Sequence, residues 1–280
     1  LFGPWLARGI RTRCIIDLYD NFEAFTASRV PLVIPLFRRA AREADGVTCF
    51  SVRLAERLMQ TYGRQKPTRV VESGVRNDLF YPLDRQECRQ WLNLPENATI
   101  IGTAGALSRS RGIKTLFRAF HLLGKEHSDI HLALTGARDK GLRIPKDVNV
   151  HDLGTLPHEK IPAFIGALDV SVICYRHSAQ GEYSFPQKAY EIIACRAPLV
   201  AAAMGSMNEL LQNYPHCLYE PENPQSLADA ISRQLRAKTV IQGPVPSWAN
   251  SAKLLSNFFA EVINCSSVPV PPDATLVASA

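Results

Sequence analysis

Lys188 and Glu191 stand three residues apart in the run Ser184-Phe185-Pro186-Gln187-Lys188-Ala189-Tyr190-Glu191-Ile192-Ile193, a cation and a carboxylate inside an otherwise apolar segment. An ammonium is suited to phosphate oxygens, and a carboxylate accepts hydrogen bonds from hydroxyl groups. Pro186 suits the first turn of a helix, and Ala189, Ile192, Ile193 and Arg196 follow at spacings of three and four, which predicts a helix with one apolar face. An apolar strand, Pro198 to Ala203, begins at once. A helix between two buried strands offers its unpaired N-terminal amides at the carboxyl edge of a sheet, a natural seat for a phosphate. Lys188 would reinforce that seat, and Glu191 lies one turn deeper.

A second stretch with the same chemistry is Gly102-Thr103-Ala104-Gly105-Ala106-Leu107-Ser108-Arg109-Ser110-Arg111-Gly112. Its glycines permit close backbone approach, and Arg109 and Arg111 supply positive charge, which a diphosphate requires. Taken by itself, a glycine turn with two arginines is common in loops. The loop Tyr175 to Glu182 also leaves a buried strand at its carboxyl end, where ligands of open parallel sheets bind. His151 reads as a packed strand residue. No Ser-His-Asp order, no Gly-Lys-Ser/Thr phosphate loop and no metal-ligand spacing is present.

The elements that must position these residues alternate regularly. Apolar strands are predicted near 99–105, 130–135, 148–153, 169–175, 198–203 and 217–220, with helices near 112–126, 158–168, 185–196, 207–213 and 224–237. That pattern means an α/β fold with a mostly parallel sheet covered on both faces. Upstream, residues 12–19 and 46–51 read as short strands, with helices over 38–44 and 52–62.

The motif order resembles that of retaining glycosyltransferases of the GT-B fold, family-four (group 1) type, in the Pro-x-Lys-x-x-Glu variant of their donor-binding segment. Ala194-Cys195-Arg196-Ala197-Pro198-Leu199-Val200-Ala201 matches the family's Ala-x-Gly-x-Pro-Val-Val-Ala continuation. Glu191 then falls on the family's second glutamate, which holds the nucleotide ribose, while the first falls on Tyr183, with Glu182 adjacent as a substitute carboxylate. Arg111-Gly112 takes the place of the family's Lys-Gly, Ala106 that of its arginine, and Arg109 is the candidate to compensate. Leu132 to Ala137 resembles the strand ending in a glycine turn at Gly136, and Val150 to Gly154 the strand beside the nucleobase. Ala44-Asp45, Ser51 and Val70 to Val75 match the family's N-terminal domain, with Arg76 in place of an aspartate.

The resemblance implies GT-B architecture: two Rossmann-like domains with parallel sheets, the N-terminal one incomplete because the chain starts at Leu1 inside it. It places the end of the N-terminal, acceptor-side domain at 1–78, the donor-binding domain at 79–241, and a linker and a helix returning to the first domain at 242–263; the proline-bearing segment 264–280 reads by composition as a disordered tail. It implies transfer of a sugar, with retention, from a nucleotide diphosphate sugar to a saccharide or lipid-linked acceptor, with no metal or other cofactor. Arg111, Lys188 and Glu191 are the expected catalytic group, and Gly105, Arg109, Gly136, Gly154 and Glu182 join them in binding the donor. Two rivals remain. One is a GT-B relative that binds without turnover, favoured by Tyr183 and Ala106; the other is a sugar-nucleotide epimerase. A dinucleotide dehydrogenase fits poorly, since no G-x-G-x-x-G follows the first strand of the donor domain.

Composition agrees with a globular chain: 280 residues, 46% hydrophobic and 21% charged. Seven widely spaced cysteines without a C-x-x-C pair predict a reduced, cytoplasmic protein. Of the net charge of +6, residues 1–66 carry +5, from ten arginines and one lysine against six acids. Nucleic acid is not the expected partner, because stacking aromatics are sparse among these bases. A peripheral contact with an anionic membrane, centred on Arg38, Arg39 and Arg42, or a phosphorylated lipid acceptor fits as well as a merely solvated face.

Overall fold

A computed structural model of the chain describes residues 2–24, 30–183 and 187–264. They form two compact units: Leu1–Glu72 with Ala249–Ala280, and Ser73–Trp248.

In the first unit, α1 (Gly3–Gly9), β1 (Ile15–Leu18), α2 (Val33–Glu43), β2 (Gly46–Cys49), α3 (Val52–Gln60) and β3 (Thr68–Val70) build a parallel three-stranded sheet in the order β1-β2-β3. Ser51 caps α3 by accepting from the Leu54 amide at 3.2 Å. Arg64 is buried and donates to the carbonyls of Ala41, Ala44 and Pro67, and burial pulls its guanidinium down to about 10. The C-terminal helix Trp248–Asn264 belongs here from Ala249 on: Phe258 and Val262 press on Gly46, where a Cβ would stand 2.8 Å from Val262. The helix expected over 38–44 begins earlier, at Val33, and α1 has no counterpart in the sequence reading. Of the arginines expected to form a free basic face, Arg38 is paired with Glu23 and Arg39 with Glu43. Among the described residues no helix is long and apolar enough to cross a membrane.

The second unit contains α4 (Arg85–Trp91), β4 (Thr99–Ala104), α5 (Ile113–Glu126), β5 (Ile130–Thr135), β6 (Val150–Asp152), α6 (Ile161–Ala167), β7 (Val170–Ile173), α7 (Ala179–Tyr183), α8 (Gln187–Ala194), β8 (Leu199–Ala202), α9 (Ser206–Leu210), β9 (Leu218–Tyr219) and α10 (Pro224–Arg236). Its six strands lie in the order β6-β5-β4-β7-β8-β9, every neighbouring pair parallel. Strands β4, β5, β7 and β8 are buried almost throughout, the reason they read as continuous apolar runs. From β4 the chain winds outward to β6, then returns to β7 and winds the other way. Right-handed crossovers in opposite directions put α5 and α8 on opposite faces of the sheet.

Three readings of this unit need correction. The segment 175–182, read as loop, carries the short helix α7. Arg196, read as part of a helical face, lies beyond α8 with φ of +50°, and the amides of Arg196 and Ala197 close the helix on the carbonyls of Ile193 and Ile192. Helix α4 was not foreseen; Asp84 caps it by accepting from the amides of Gln86 and Glu87. The readings at Ser184 to Pro186 and over 265–280 fall outside the described residues.

At the amino edge of this sheet Asp169 ties four elements together. One carboxylate oxygen accepts from the Ile100 amide and from buried Arg89 at 2.9 and 2.8 Å, the other from Arg85 and Lys238 at 2.8 and 3.1 Å. Burial pushes this carboxyl up, but the Ile100 amide, Lys238 and Arg85 outweigh it and hold the group below its ordinary value. Its stabilising contribution is therefore present above the unfolded carboxyl's range and is lost as pH falls through the lower folded value. Asp169→Asn leaves Arg89 buried without its counter-charge and should cost about 3–5 kcal/mol in urea unfolding at neutral pH. The gap from wild type should narrow as the acid limb is approached; a constant gap would mean that packing, not charge, is lost.

Candidate functional site

The reversal of winding between β4 and β7 parts the loops that leave their carboxyl ends, and ligands of open parallel sheets bind in the opening. Three glycines line this edge, one after each of β4, β5 and β6. Gly105, Gly136 and Gly154 have φ of +104°, +135° and +63°. The Gly105 amide donates to the Thr135 carbonyl at 2.9 Å, and the Gly136 amide to the Gly154 carbonyl at 2.8 Å. The contact between the first two is too close for any side chain, since a Cβ on Gly136 would stand 1.8 Å from the Gly105 carbonyl oxygen. Around Gly154 nothing stands within 4 Å of a built Cβ. The site has a backbone floor at Gly105 and Gly136, and open space above Gly154.

Lys188, in the first turn of α8, donates to the Ala104 carbonyl at 2.9 Å, so its ammonium lies over the end of β4 beside Gly105. Burial and the nearby Arg111 guanidinium pull its pKa down to about 8. Among the described residues neither Lys188 nor Arg111 has a carboxylate within ion-pair distance. The loop bearing Arg111 is set by Ser108, whose hydroxyl accepts from the Arg111 amide at 3.2 Å, and by Gly112, which starts α5 at φ of +77° without a side-chain cap. Two unmatched cations by an uncapped helix N-terminus form an anion seat.

One turn beyond Lys188 comes Glu191, its side chain only 14% exposed. Burial raises its carboxyl pKa, against the lowering effects of His158 and Lys188. His158 Nε2 stands 3.8 Å from Glu191 Oε1. Sequence reading passed over His158, and nothing in its spacing marks it, because the contact joins the turn after β6 to the middle of α8.

The structure thus gathers Gly105, Gly136, Gly154, Arg111, Lys188 and Glu191 at one edge. Arg109 points elsewhere: its amide donates to Asp139 and its guanidinium to the Gly141 carbonyl at 2.7 Å, tying its loop to the next one. Glu182 stands half-buried on α7, and its carbonyl packs under Gly205, where a Cβ would come within 2.4 Å. His151 stacks on His131, with ring centroids 5.1 Å apart and a 2.8 Å nitrogen contact, as a packed strand residue would.

Known proteins place this chain. The model of the group 1 glycosyl transferases matches residues 98–237. The D-inositol 3-phosphate glycosyltransferase 1 of Catenulispora acidiphila is 28% identical over 209 residues, which cover 67% of this chain and 48% of that protein. The 2-deoxystreptamine glucosyltransferase of Streptomyces kanamyceticus is 26% identical over 248 residues, 84% of this chain and 61% of that one. The chain spans about half the length of the first curated relatives it matches. Among solved structures, an Anabaena protein in complex with UDP aligns with a TM-score of 0.68 at 22% identity, over 93% of this chain and 70% of that one. Sucrose-phosphate synthase of Thermosynechococcus elongatus aligns at 0.66 and 22%, over 93% and 67%. These likenesses establish the fold: two Rossmann-like domains of the GT-B type, the N-terminal one carrying three strands here.

The glycine contacts predict a contrast. Gly136→Ala must push the Gly105 strand end away and should lower the melting temperature sharply. Gly154→Ala meets open space and bears only the left-handed backbone cost, about 1–2 kcal/mol. Thermal melts of the two variants side by side check this, and equal losses would contradict the Gly105–Gly136 contact.

Proposed function

The chain belongs to the group 1 glycosyl transferase family, and from that membership we propose that it binds a nucleotide diphosphate sugar at the β4–β7 edge and transfers the sugar, with retention, to a saccharide or lipid-linked acceptor. The observation that carries the reading is the pair of unmatched cations, Arg111 and Lys188, beside Glu191 at the reversal of strand order. A diphosphate leaving group needs fixed positive charge already in place, so that no reorganisation is required as negative charge develops. Lys188, held on the Ala104 carbonyl, and Arg111 supply it, joined by the amides that open α5. Glu191 accepts from the ribose hydroxyls and fixes the nucleoside. The open space at the Gly154 turn leaves the base room beside the backbone floor at Gly136. That solved relatives of this fold hold UDP and UDP-glucose supports a nucleotide at this edge. The chemistry assigned to these residues calls for no metal, since the side chains provide the charge that the leaving group requires.

Binding can be tested whether or not this chain turns over. Calorimetry with a panel of nucleoside diphosphates should give saturable binding, weakened by about 1–3 kcal/mol in Glu191→Gln and also weakened in Arg111→Ala. Absence of binding to a demonstrably folded wild type would overturn the assignment.

Lys188 adds a pH signature. Its pKa of about 8 in the free site must rise when an anion arrives. The electrostatic gain is then present in full below pH 8 and is lost as pH rises through the higher value of the complex. Binding at about pH 8.5 should accordingly take up a fraction of a proton. Calorimetry in two buffers of different ionisation enthalpy measures this uptake, and Lys188→Met should abolish it.

A further inference from the structure

The contact between His158 and Glu191 joins two segments far apart in the chain, and both partners are held for reasons other than each other. His158 opens the 3-10 turn His158–Lys160 behind Pro157, just after the left-handed Gly154, and that turn runs directly into α6. Its ring lies against buried Phe80, centroids 5.3 Å apart at 59°. Glu191 is held by α8, which packs on α6 and buries Ala189, Ile192 and Ile193. The imidazole nitrogen ends 3.8 Å from the carboxylate oxygen, just outside hydrogen-bond distance, while half of the imidazole side chain (52%) stays open to solvent. The contact engages Oε1, and a carboxylate has about four lone-pair sites, so acceptor capacity is left for two ribose hydroxyls. Lys188, one turn earlier, does not pair with Glu191 within ion-pair distance; its ammonium donates to the Ala104 carbonyl.

Resting on the nucleotide reading of this site, we infer that His158 is the positioning residue of the ribose seat: its imidazole holds the Glu191 carboxylate turned to the ribose hydroxyls. A carboxylate one turn inside a helix has several rotamers open to it, and a ligand that must select one loses affinity. A ring fixed by Phe80 and by a 3-10 turn removes that loss. Second-sphere orientation of this kind affects only the ligand groups that the carboxylate touches, which separates it from general packing.

UDP, ADP and GDP, each compared with its 2′-deoxy form, provide the test on the full chain, with wild type, Glu191→Gln, His158→Ala and His158→Gln. For whichever base binds, wild type should prefer the ribose form by about tenfold, the worth of one charge-assisted hydrogen bond. His158→Ala should reduce that preference to within about twofold, because the ribose form loses both hydroxyl contacts while the deoxy form, which has only its 3′-hydroxyl to lose, weakens less. His158→Gln places an amide donor near the same point and should restore most of the preference. Equal weakening of ribose and deoxy forms in His158→Ala, or a preference that survives it, overturns the inference while the nucleotide reading stands. A wild type that binds none of these nucleotides overturns both. Since the His158 side chain is half exposed, the variants should melt near wild type; a His158→Gln that melts normally yet behaves as His158→Ala also overturns the inference.

Discussion

A parallel sheet obliges the chain to leave every strand at one edge and to return to the other through a helix or a long crossover. In the six-stranded unit this constraint gathers the glycine turns, the arginine loop and the start of α8 at one carboxyl edge. The reversal of winding at β4 then decides where along that edge a ligand fits, because there the loops diverge. The contacts along Gly105, Gly136 and Gly154 follow from the same geometry: neighbouring parallel strands in register end side by side, Ala104 opposite Thr135, so the Gly105 amide meets the Thr135 carbonyl and Gly136 closes on the Gly105 carbonyl. Only glycine permits that approach, and the result is a floor made of backbone.

The two edges of this sheet treat charge in opposite ways. At the amino edge a single carboxylate, Asp169, receives Arg85, Arg89, Lys238 and a main-chain amide, so each oxygen is fully used. At the carboxyl edge Lys188 and Arg111 lie near each other, neither with a carboxylate within ion-pair distance among the described residues, and the lysine's pKa falls to about 8 as a result of burial and of that neighbour. A fold able to neutralise buried charge so completely at one end leaves two like charges together at the other. Like charges left together at the sheet edge where ligands bind mark a candidate binding site.

Much of this was legible in the sequence, for identifiable reasons. Strands β4, β5, β7 and β8 are buried on both faces, which writes them as continuous apolar runs, and the helices between them carry one apolar stripe each. Lys188 and Glu191 stood out because charge inside such a pattern has no packing reason to be there. What stayed hidden depends on direction or on long-range contact. Arg109 and Arg111 are two residues apart in one loop, yet the first is tied to the Gly141 carbonyl while the second lies near enough to Lys188 to lower its pKa, a difference that depends on the Ser108 hydroxyl and the next loop. Helix α4 is polar in sequence because it buries Arg89, whose guanidinium is satisfied by Asp169 and two carbonyls from elsewhere. His158 reads as an ordinary turn residue until α8 is placed beside it.

Lys188 and Glu191 show how one turn of helix can hold opposite charges without letting them cancel. An ion pair between them would satisfy both and leave nothing for a ligand. Instead Lys188 reaches to the Ala104 carbonyl at the end of β4, while Glu191 has His158 from the turn after β6. The two side chains are drawn apart by groups that come from different strands, and burial opposes the charged form of both, lowering the lysine and raising the glutamate. Each therefore keeps unspent hydrogen-bonding capacity directed by the scaffold, the ammonium beside Arg111 and the carboxylate one turn away. A ligand that matches them needs acceptor oxygens for the first and hydroxyl donors for the second. A nucleoside diphosphate presents that combination, with its phosphates and its ribose joined in a single molecule.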